Sequence, residues 1–373
     1  MLNQNESPER TEPEESGLRS GEPPDGSPAP RRGIFRPRVI ILAVVVAGFI
    51  AADILFVAWY LDAPDLDAEY SFLYEDRIPL PTDLGHDTEP VRTLVSGEAF
   101  YNAVVAALAT IHPSRPRDAA SEETFAAFSA KKRNRPSAKR KNFYIQPLGS
   151  FSSSESRIVA SSTVFMEKCF GCPSVLLPVK PLDAIDAKYR RSGPYGEQFF
   201  TGHLLAKVLF PEVPADAVGL MGVTSADLWA GRGWNYVFGE GAFTLRIGVS
   251  SLRRMVEGSP MPSESLALMR TVKLLAHEAG HMFSLYHCMN TPCMMEFGNS
   301  LSAHDASVVH FCPECTAKLC WSLRLSPTDR FAALTEWFEA NGYKEEAEYC
   351  KKAKAALVEA KIPTFGNGKP NNE

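Results

Sequence analysis

The chain has 373 residues, 45% of them hydrophobic and 22% charged, with a formal net charge of -5. That length and apolar content allow a sizeable core, and the acidic balance weighs against a general nucleic-acid binder, which needs surplus Lys and Arg to neutralise phosphates. The one local exception, KKRNRPSAKRK over Lys131–Lys141, lacks interleaved aromatics and reads as a solvated basic loop.

Residues 1–38 are dominated by Pro, Glu, Ser, Gly and Arg without apolar periodicity, which predicts a disordered tail. Residues 39–61, VIILAVVVAGFIAADILFVAWYL, carry a single charge, Asp53. As a helix rising about 1.5 Å per residue they would span roughly 30 Å of hydrocarbon, which predicts one transmembrane helix. Asp53 opposes insertion by about 2.5 to 3.5 kcal/mol. The competing reading is a cleaved signal peptide with Val39–Ala52 as its apolar region, in which case the mature chain is secreted. Against it stand the long leader and the lack of a clean Ala-x-Ala site. Arg31, Arg32, Arg36 and Arg38 precede the segment and the first positive residue after it is Arg77, so the expectation is a single-pass protein with a cytoplasmic N-terminus and the rest of the chain exported. Residues 62–96, acidic and dotted with Pro, read as a juxtamembrane linker.

The folded domain is expected over 97–362. Phe100, Val104, Ala107 and Leu108 give Gly97–Ile111 a helical stripe. NFYIQPLGSF and RIVASSTVFM read as strands, GEQFFTGHLLAKVL as a helix, and AVGLMGVT, WNYVFGE and FTLRIGVSS as further short strands, with Gly231, Gly233, Gly239 and Gly241 at turns. There is no internal repeat. A helix begins after Ser263, a plausible N-cap, and its stripe of Leu268, Val272, Leu275, Ala279 and Met282 faces a core. Pro327–Ile362 forms two helices broken at Asn341-Gly342, and residues 363–373 are expected to fray.

Within that helix, His277-Glu278-Ala279-Gly280-His281 stacks two imidazoles four residues apart on one face, where both reach one metal ion. Glu278 lies about 100° round, so it borders the metal and could accept a proton from the water that the metal activates. A third ligand leaves one position open. His287 is the candidate, but on an unbroken helix it would lie about 240° from His281, so the helix must stop between them. Ser284 falls where that turn is needed. If the turn demands a positive φ, serine there carries a strain of roughly 1 to 2 kcal/mol. Cys288-x4-Cys293 and Cys312-x2-Cys315 have the spacing of a closed four-thiolate zinc site, with two disulfides as the alternative on an oxidising exterior. Met295, two residues after Cys293, would by itself read as a core gap-filler.

HEAGHMFSLYHCMNTPCMM followed by CPEC resembles the archaemetzincins, a family that joins a long metzincin zinc signature to a four-cysteine zinc site. FYIQPLGSF, VGLMGVTSADLWAGRGWNYVFGEG and LRIGVSSLRR look similar to archaemetzincin segments too, so the resemblance covers about 142–341 and leaves the N-terminal segments outside. Ser284 departs from the glycine that metzincins place at the turn. The resemblance implies an α+β zincin fold: a twisted mixed β-sheet over an active-site helix, a cleft and a small helical C-terminal part. It implies peptide hydrolysis, His277, His281 and His287 as catalytic zinc ligands, Glu278 as general base, Met295 in a methionine turn, and Cys288, Cys293, Cys312 and Cys315 around a second zinc, two ions per chain. WNYVFG is then the candidate edge strand for pairing an extended substrate.

The rival from another class is a zinc-dependent module that binds peptides without turnover; a purely structural four-cysteine protein leaves the three histidines unexplained. Cys169 and Cys172, in CFGC, read as structural, as a local disulfide, ahead of an extra metal site or redox chemistry. Cys320 and Cys350 read as small buried hydrophobes, and His304 and His310 are left out of both ligand sets. The expected partners are a peptide or protein substrate and the membrane, with no nucleic acid. Substrate preference and oligomeric state leave no signature.

Overall fold

The computed structural model describes residues 97–362, save 113–114, 117–122, 132, 244, 259–260, 297 and 299. The expected tail, apolar span and linker over 1–96, and the C-terminal 363–373, lie outside the described residues. Among those described, no helix is long and apolar enough to cross a membrane.

Helix α1, Gly97–Ala109, buries Phe100, Val104, Ala107 and Leu108, the four positions its spacing marks. After β1, Arg115–Pro116, and the short helix α2, Phe125–Ala130, comes the first strand of the main sheet, β2, Asn142–Leu148. RIVASSTVFM, expected as a strand, lies instead inside helix α3, Ser153–Phe170. The reason is at its ends. Ser152 and Glu155 form a complete capping box, and Gly171 closes the helix in the left-handed conformation at φ 65°. Ile158, Ser162, Phe165, Met166 and Cys169 then bury one helical face, and this overrides the strand preference of the β-branched residues.

Strands β3 (Ser174–Leu176), β6 (Ala217–Thr224), β8 (Gly239–Ala242) and β9 (Ile247–Ser251) complete a five-stranded sheet of order β3-β2-β6-β9-β8. All neighbours are parallel except β8, which runs antiparallel to β9 at the edge. The central strand β6 is buried at every residue, as a strand covered on both faces must be. A smaller sheet of β4 (Arg190–Gly193), β5 (Gly196–Phe200) and β7 (Asp227–Trp229) stands beside it. GEQFFTGHLLAKVL is thus a helix only in its second half. Phe199 and Phe200 pair with Leu228 and Trp229 as strand, and the chain turns helical at Thr201, continuing as a π-helix over Leu204–Leu209.

Helix α4, Glu264–Met282, is followed by β10 (Asn290–Thr291) and helices α5 (Leu301–Ala306), α6 (Pro313–Leu323), α7 (Pro327–Ala340) and α8 (Lys344–Glu359). The break between α7 and α8 falls at Asn341-Gly342, with Gly342 at φ 82°. Helices α3 and α4 pack on each other and against the sheet through one core, in which Phe170 lies 6.3 Å from Phe143 and 5.2 Å from Phe283, ring centre to ring centre. Phe283 ends α4, so these rings tie the end of that helix to the sheet. Truncating any one of them to Ala would cost about 3 to 5 kcal/mol.

The basic stretch is not simply solvated. Arg133 and Arg140 are buried. The Arg133 guanidinium lies 4.9 Å from the Phe128 ring centre and 4.4 Å from that of Trp321, and burial pushes its pKa down to about 10. Arginine stacks on aromatic faces at a modest desolvation cost, which charge counting along the sequence does not register.

Candidate active site and metal clusters

Helix α4 begins where Ser263 Oγ accepts the Leu266 N–H at 3.1 Å, and its apolar stripe is buried as the sequence predicts. His277 and His281 face the other way, into a cleft of about 930 Å³. Edge strand β8 crosses the helix at Glu278. A Cβ at Gly239 would stand 2.8 Å from Glu278 Cγ, and one at Gly241 would strike the Glu278 carbonyl. These two glycines, expected at turns, are strand residues that let the sheet edge lie directly on the helix. Alternate glycines within a strand are the sequence signal for such an approach.

His277 Nδ1 donates to the Met294 carbonyl at 2.9 Å and His281 Nδ1 to the Leu285 carbonyl at 2.7 Å. Carbonyls only accept, so both protons sit on Nδ1 and both Nε2 atoms keep a lone pair. Those atoms are 3.2 Å apart. Burial pushes the His277 pKa down to about 4, and burial with the neighbouring imidazoles holds His281 well below its ordinary value, so two neutral rings point lone pairs at each other. Without a cation between them that arrangement is repulsive. A tetrahedral ion with Zn–N bonds of about 2.0 to 2.1 Å sets its nitrogens roughly 3.3 Å apart, so zinc fits. His287 completes the set, with the three ligand atoms within 4.8 Å of one another.

The break that brings His287 round is a Schellman motif. Leu285 N–H donates to the Gly280 carbonyl at 2.9 Å and Ser284 N–H to that of His281 at 2.8 Å, with Ser284 at φ 70°. The positive φ required of the turn is therefore present, carried by a buried serine. Beneath it, a Cβ at Gly280 would come 2.5 Å from Met295 Sδ, so the fully buried Met295 packs against the helix between His277 and His281.

Glu278 is buried beside the histidines, and burial pushes its pKa up to about 8, helped by the charge of Glu240 and opposed by a hydrogen bond from the Gly241 backbone. Glu240, on β8, and Phe243 and Tyr286 also line the cleft. None of these three is singled out by spacing in the sequence.

The four cysteine sulfurs of Cys288, Cys293, Cys312 and Cys315 likewise lie within 4.8 Å of one another, and all eight cysteines are free thiols. The two-disulfide alternative is not what the structure contains. Cys288 Sγ and Cys312 Sγ are 3.7 Å apart, far beyond a bonded pair at about 2.05 Å and close to the ~3.8 Å edge of a tetrahedron with Zn–S of about 2.3 Å. Backbone N–H groups of Asn290, Met295, Cys312 and Cys315 point at these sulfurs at 3.3–3.5 Å, as suits thiolates. The donor set fits zinc. The two clusters also share a loop: Cys288 N–H donates to the Met295 carbonyl, and the next carbonyl back, Met294, orients His277.

Other expectations are corrected. The edge strand lies later than WNYVFG: β8 starts at its last residue, Gly239, after Phe238, whose carbonyl accepts the Ser251 N–H of β9 at 2.8 Å, while Val237 bridges to Leu228. Arg191 Nη2 takes the Trp234 and Asn235 carbonyls at 3.0 and 2.8 Å, so side chains use backbone groups that a ladder would need. Cys169 and Cys172 form no local disulfide. Cys169 sits on the core face of α3 against Arg330 Nη2 at 3.2 Å, whereas Cys172, past the Gly171 turn, points at the Phe170 carbonyl. Cys320 and Cys350 are fully buried, and His304 and His310 belong to neither cluster.

Residues 212–320 match Peptidase family M54. Archaemetzincin-2 of Pongo abelii is 30% identical over 264 residues, covering 62% of this chain and 71% of that protein. The archaemetzincin of Thermococcus kodakarensis is 37% identical over 135 residues, covering 35% of this chain and 72% of the relative. The crystal structure of archaemetzincin from Archaeoglobus fulgidus complexed with malonate is 31% identical, with a TM-score of 0.38 over 48% of this chain and 99% of that one. With a cleft, two donor clusters that fit zinc and relatives of this coverage, the chain belongs to the archaemetzincin family of zinc metallopeptidases.

Proposed function

We propose that His277, His281 and His287 hold the catalytic zinc, that Glu278 is the general base, and that Cys288, Cys293, Cys312 and Cys315 hold a second, structural zinc, giving two ions per chain. The observation that carries this is the pair of Nε2 lone pairs facing each other at 3.2 Å, each ring fixed by a carbonyl behind it. Zinc at that cluster would supply a Lewis acid and a water acidic enough to ionise near neutrality. Glu278, buried beside the histidines and against the Gly241 backbone, would take that proton as a carboxylate, the zinc charge offsetting the burial that raises its metal-free pKa to about 8, and return it to the leaving amine. β8 offers its outer edge to an extended peptide. Turnover separates this reading from a module that only binds peptides: Glu278→Gln should keep zinc and lose cleavage. Zinc counted on the full chain in detergent should fall from two to one in His287→Ala; two ions in both proteins would remove His287 from the ligand set, and one ion in both would overturn the two-ion count.

The further proposal is that residues 39–61 anchor the enzyme in a membrane, with the N-terminus cytoplasmic and the catalytic domain outside. Its support is the apolar run and the arginines before it. N-terminal sequencing of the membrane fraction decides it: an intact segment supports the anchor, and a start beyond it with the protein in the medium supports secretion after signal-peptide cleavage. The four thiols outside the cluster are buried, which shields them from an oxidising exterior.

A further inference from the structure

The cleft extends both ways from the three histidines, and its ends differ. Towards Gly239 stand Tyr236, Phe238 and His304, Phe238 lying 5.4 Å from Tyr236 and 5.9 Å from His304, ring centre to ring centre. Towards Ala242, the Phe243 ring lies 4.9 Å from His281 and 5.1 Å from Tyr286. Tyr286 is 45% exposed, yet it is held. Lys131 Nζ sits 3.8 Å from its ring centre and pairs with Glu123, whose carboxylate also meets Lys318 at 3.7 Å. A surface tyrosine that ended in solvent would need none of this. Lys131 comes from the basic stretch that the catalytic reading does not use.

Direction follows from the sheet. Among the described residues β8 pairs on one side only, with β9, and its other side faces the cleft. A peptide adding antiparallel to β8, the slightly more stable pairing, runs with its amino end towards Ala242 and Phe243 and its carboxyl end towards Gly239. Gly239 and Gly241 lie over Glu278, so the bond to be broken lies above that stretch, and Phe243 and Tyr286 flank the residues before it.

We propose that Phe243 and Tyr286 form the subsite for the side chain on the amino side of the scissile bond, that it selects aromatic or large aliphatic groups, and that Lys131 is a positioning residue that fixes Tyr286 and repels basic side chains. The proposal rests on the catalytic zinc lying at the histidine cluster. The Phe243 and Tyr286 rings, in contact with each other, offer one continuous apolar wall on which a side chain can stack, and an ammonium within 4 Å of one ring penalises a second cation there.

The test uses the zinc-loaded full chain in detergent and matched peptides carrying Phe, Leu, Ala or Lys before the cleaved bond, with products mapped by mass spectrometry. The wild type should prefer Phe or Leu over Ala by about tenfold in kcat/KM, the scale expected of one apolar pocket, and should disfavour Lys. Tyr286→Ala and Phe243→Ala should each bring the Phe-to-Ala ratio towards one. Lys131→Gln should raise the Lys-to-Ala ratio. Ratios are the readout because Tyr286 neighbours His287; any loss of zinc, measured alongside, lowers both peptides together. An unchanged ratio in both aromatic variants, or selectivity that appears only after the cleaved bond, overturns the proposal and leaves the peptidase intact. No cleavage of any peptide by the zinc-loaded wild type overturns the zinc assignment beneath it, and the proposal with it.

Discussion

The two donor clusters adjoin in sequence, His287 beside Cys288, yet they are built in opposite ways. The histidine cluster stands on a nineteen-residue helix and one left-handed turn, the His277 and His281 rings fixed by carbonyls behind them, with His287 exposed to the cleft. The cysteine cluster has three of its four residues buried and is wrapped in backbone N–H groups from loops. A rigid scaffold with an open side suits a site where substrate must enter; a closed shell suits a site whose work is to hold a loop. The shared loop makes the dependence one-sided, because Met294 and Met295 serve the histidines from a segment that the cysteines hold.

The largest effect that would sharpen this contrast is on turnover. Glu278→Gln should lower kcat by about 10²- to 10⁴-fold with both metals kept; near wild-type turnover would remove it from the mechanism. Next comes the dependence between clusters. Cys293→Ala should weaken metal binding at both sites, whereas His287→Ala should spare the cysteine site, as read by metal titration of each variant; symmetric losses would break the comparison.

Protons distinguish the clusters as well. Burial already holds all three imidazoles below their ordinary pKa, so loading the histidine site at pH 7 should release almost no protons. Acid should compete at His277 only as the pH nears about 4. Sharing hydrogen bonds with Cys288 holds Cys312 and Cys315 well above the ordinary thiol range, so loading the cysteine site must release protons. Proton release on metal addition to the His287→Ala and Cys293→Ala proteins separates the two. Metal-free, the raised pKa of Glu278 means that the fold binds a proton the unfolded chain releases. Its stabilising share is complete below pH 4.5 and lost as the pH rises through about 8, so Glu278→Gln should gain melting temperature over the wild type across that window.

The smallest effect is at the turn. Ser284→Gly should relieve about 1 kcal/mol of left-handed strain and raise the melting temperature of the metal-free protein by a few degrees; no change would mean that the turn is not strained.

Much of the site was legible because its constraints are local. Two histidines four apart share a helix face whatever surrounds them, and the 240° mismatch at His287 demands a break that appears at Ser284. Cysteine spacing reports a cluster for the same reason. The stripe of α4 and the break at Asn341-Gly342 were readable from periodicity and from glycine. By contrast, RIVASSTVFM reads as a strand in isolation, and only the capping box, Gly171 and the packing of α3 on α4 make it a helix.

The sequence by itself determined the chemistry: which residues can bind metal, which acid stands beside them, and where the helix must end, since covalent spacing and helical pitch set these. Tertiary structure alone decided that Glu278 is buried enough to be raised towards 8, that β8 rather than Trp234–Phe238 is the sheet edge, and that Lys131 reaches Tyr286 across 155 positions of chain. Desolvation, strand order and long-range contact depend on what the rest of the chain places nearby, and no local pattern encodes them.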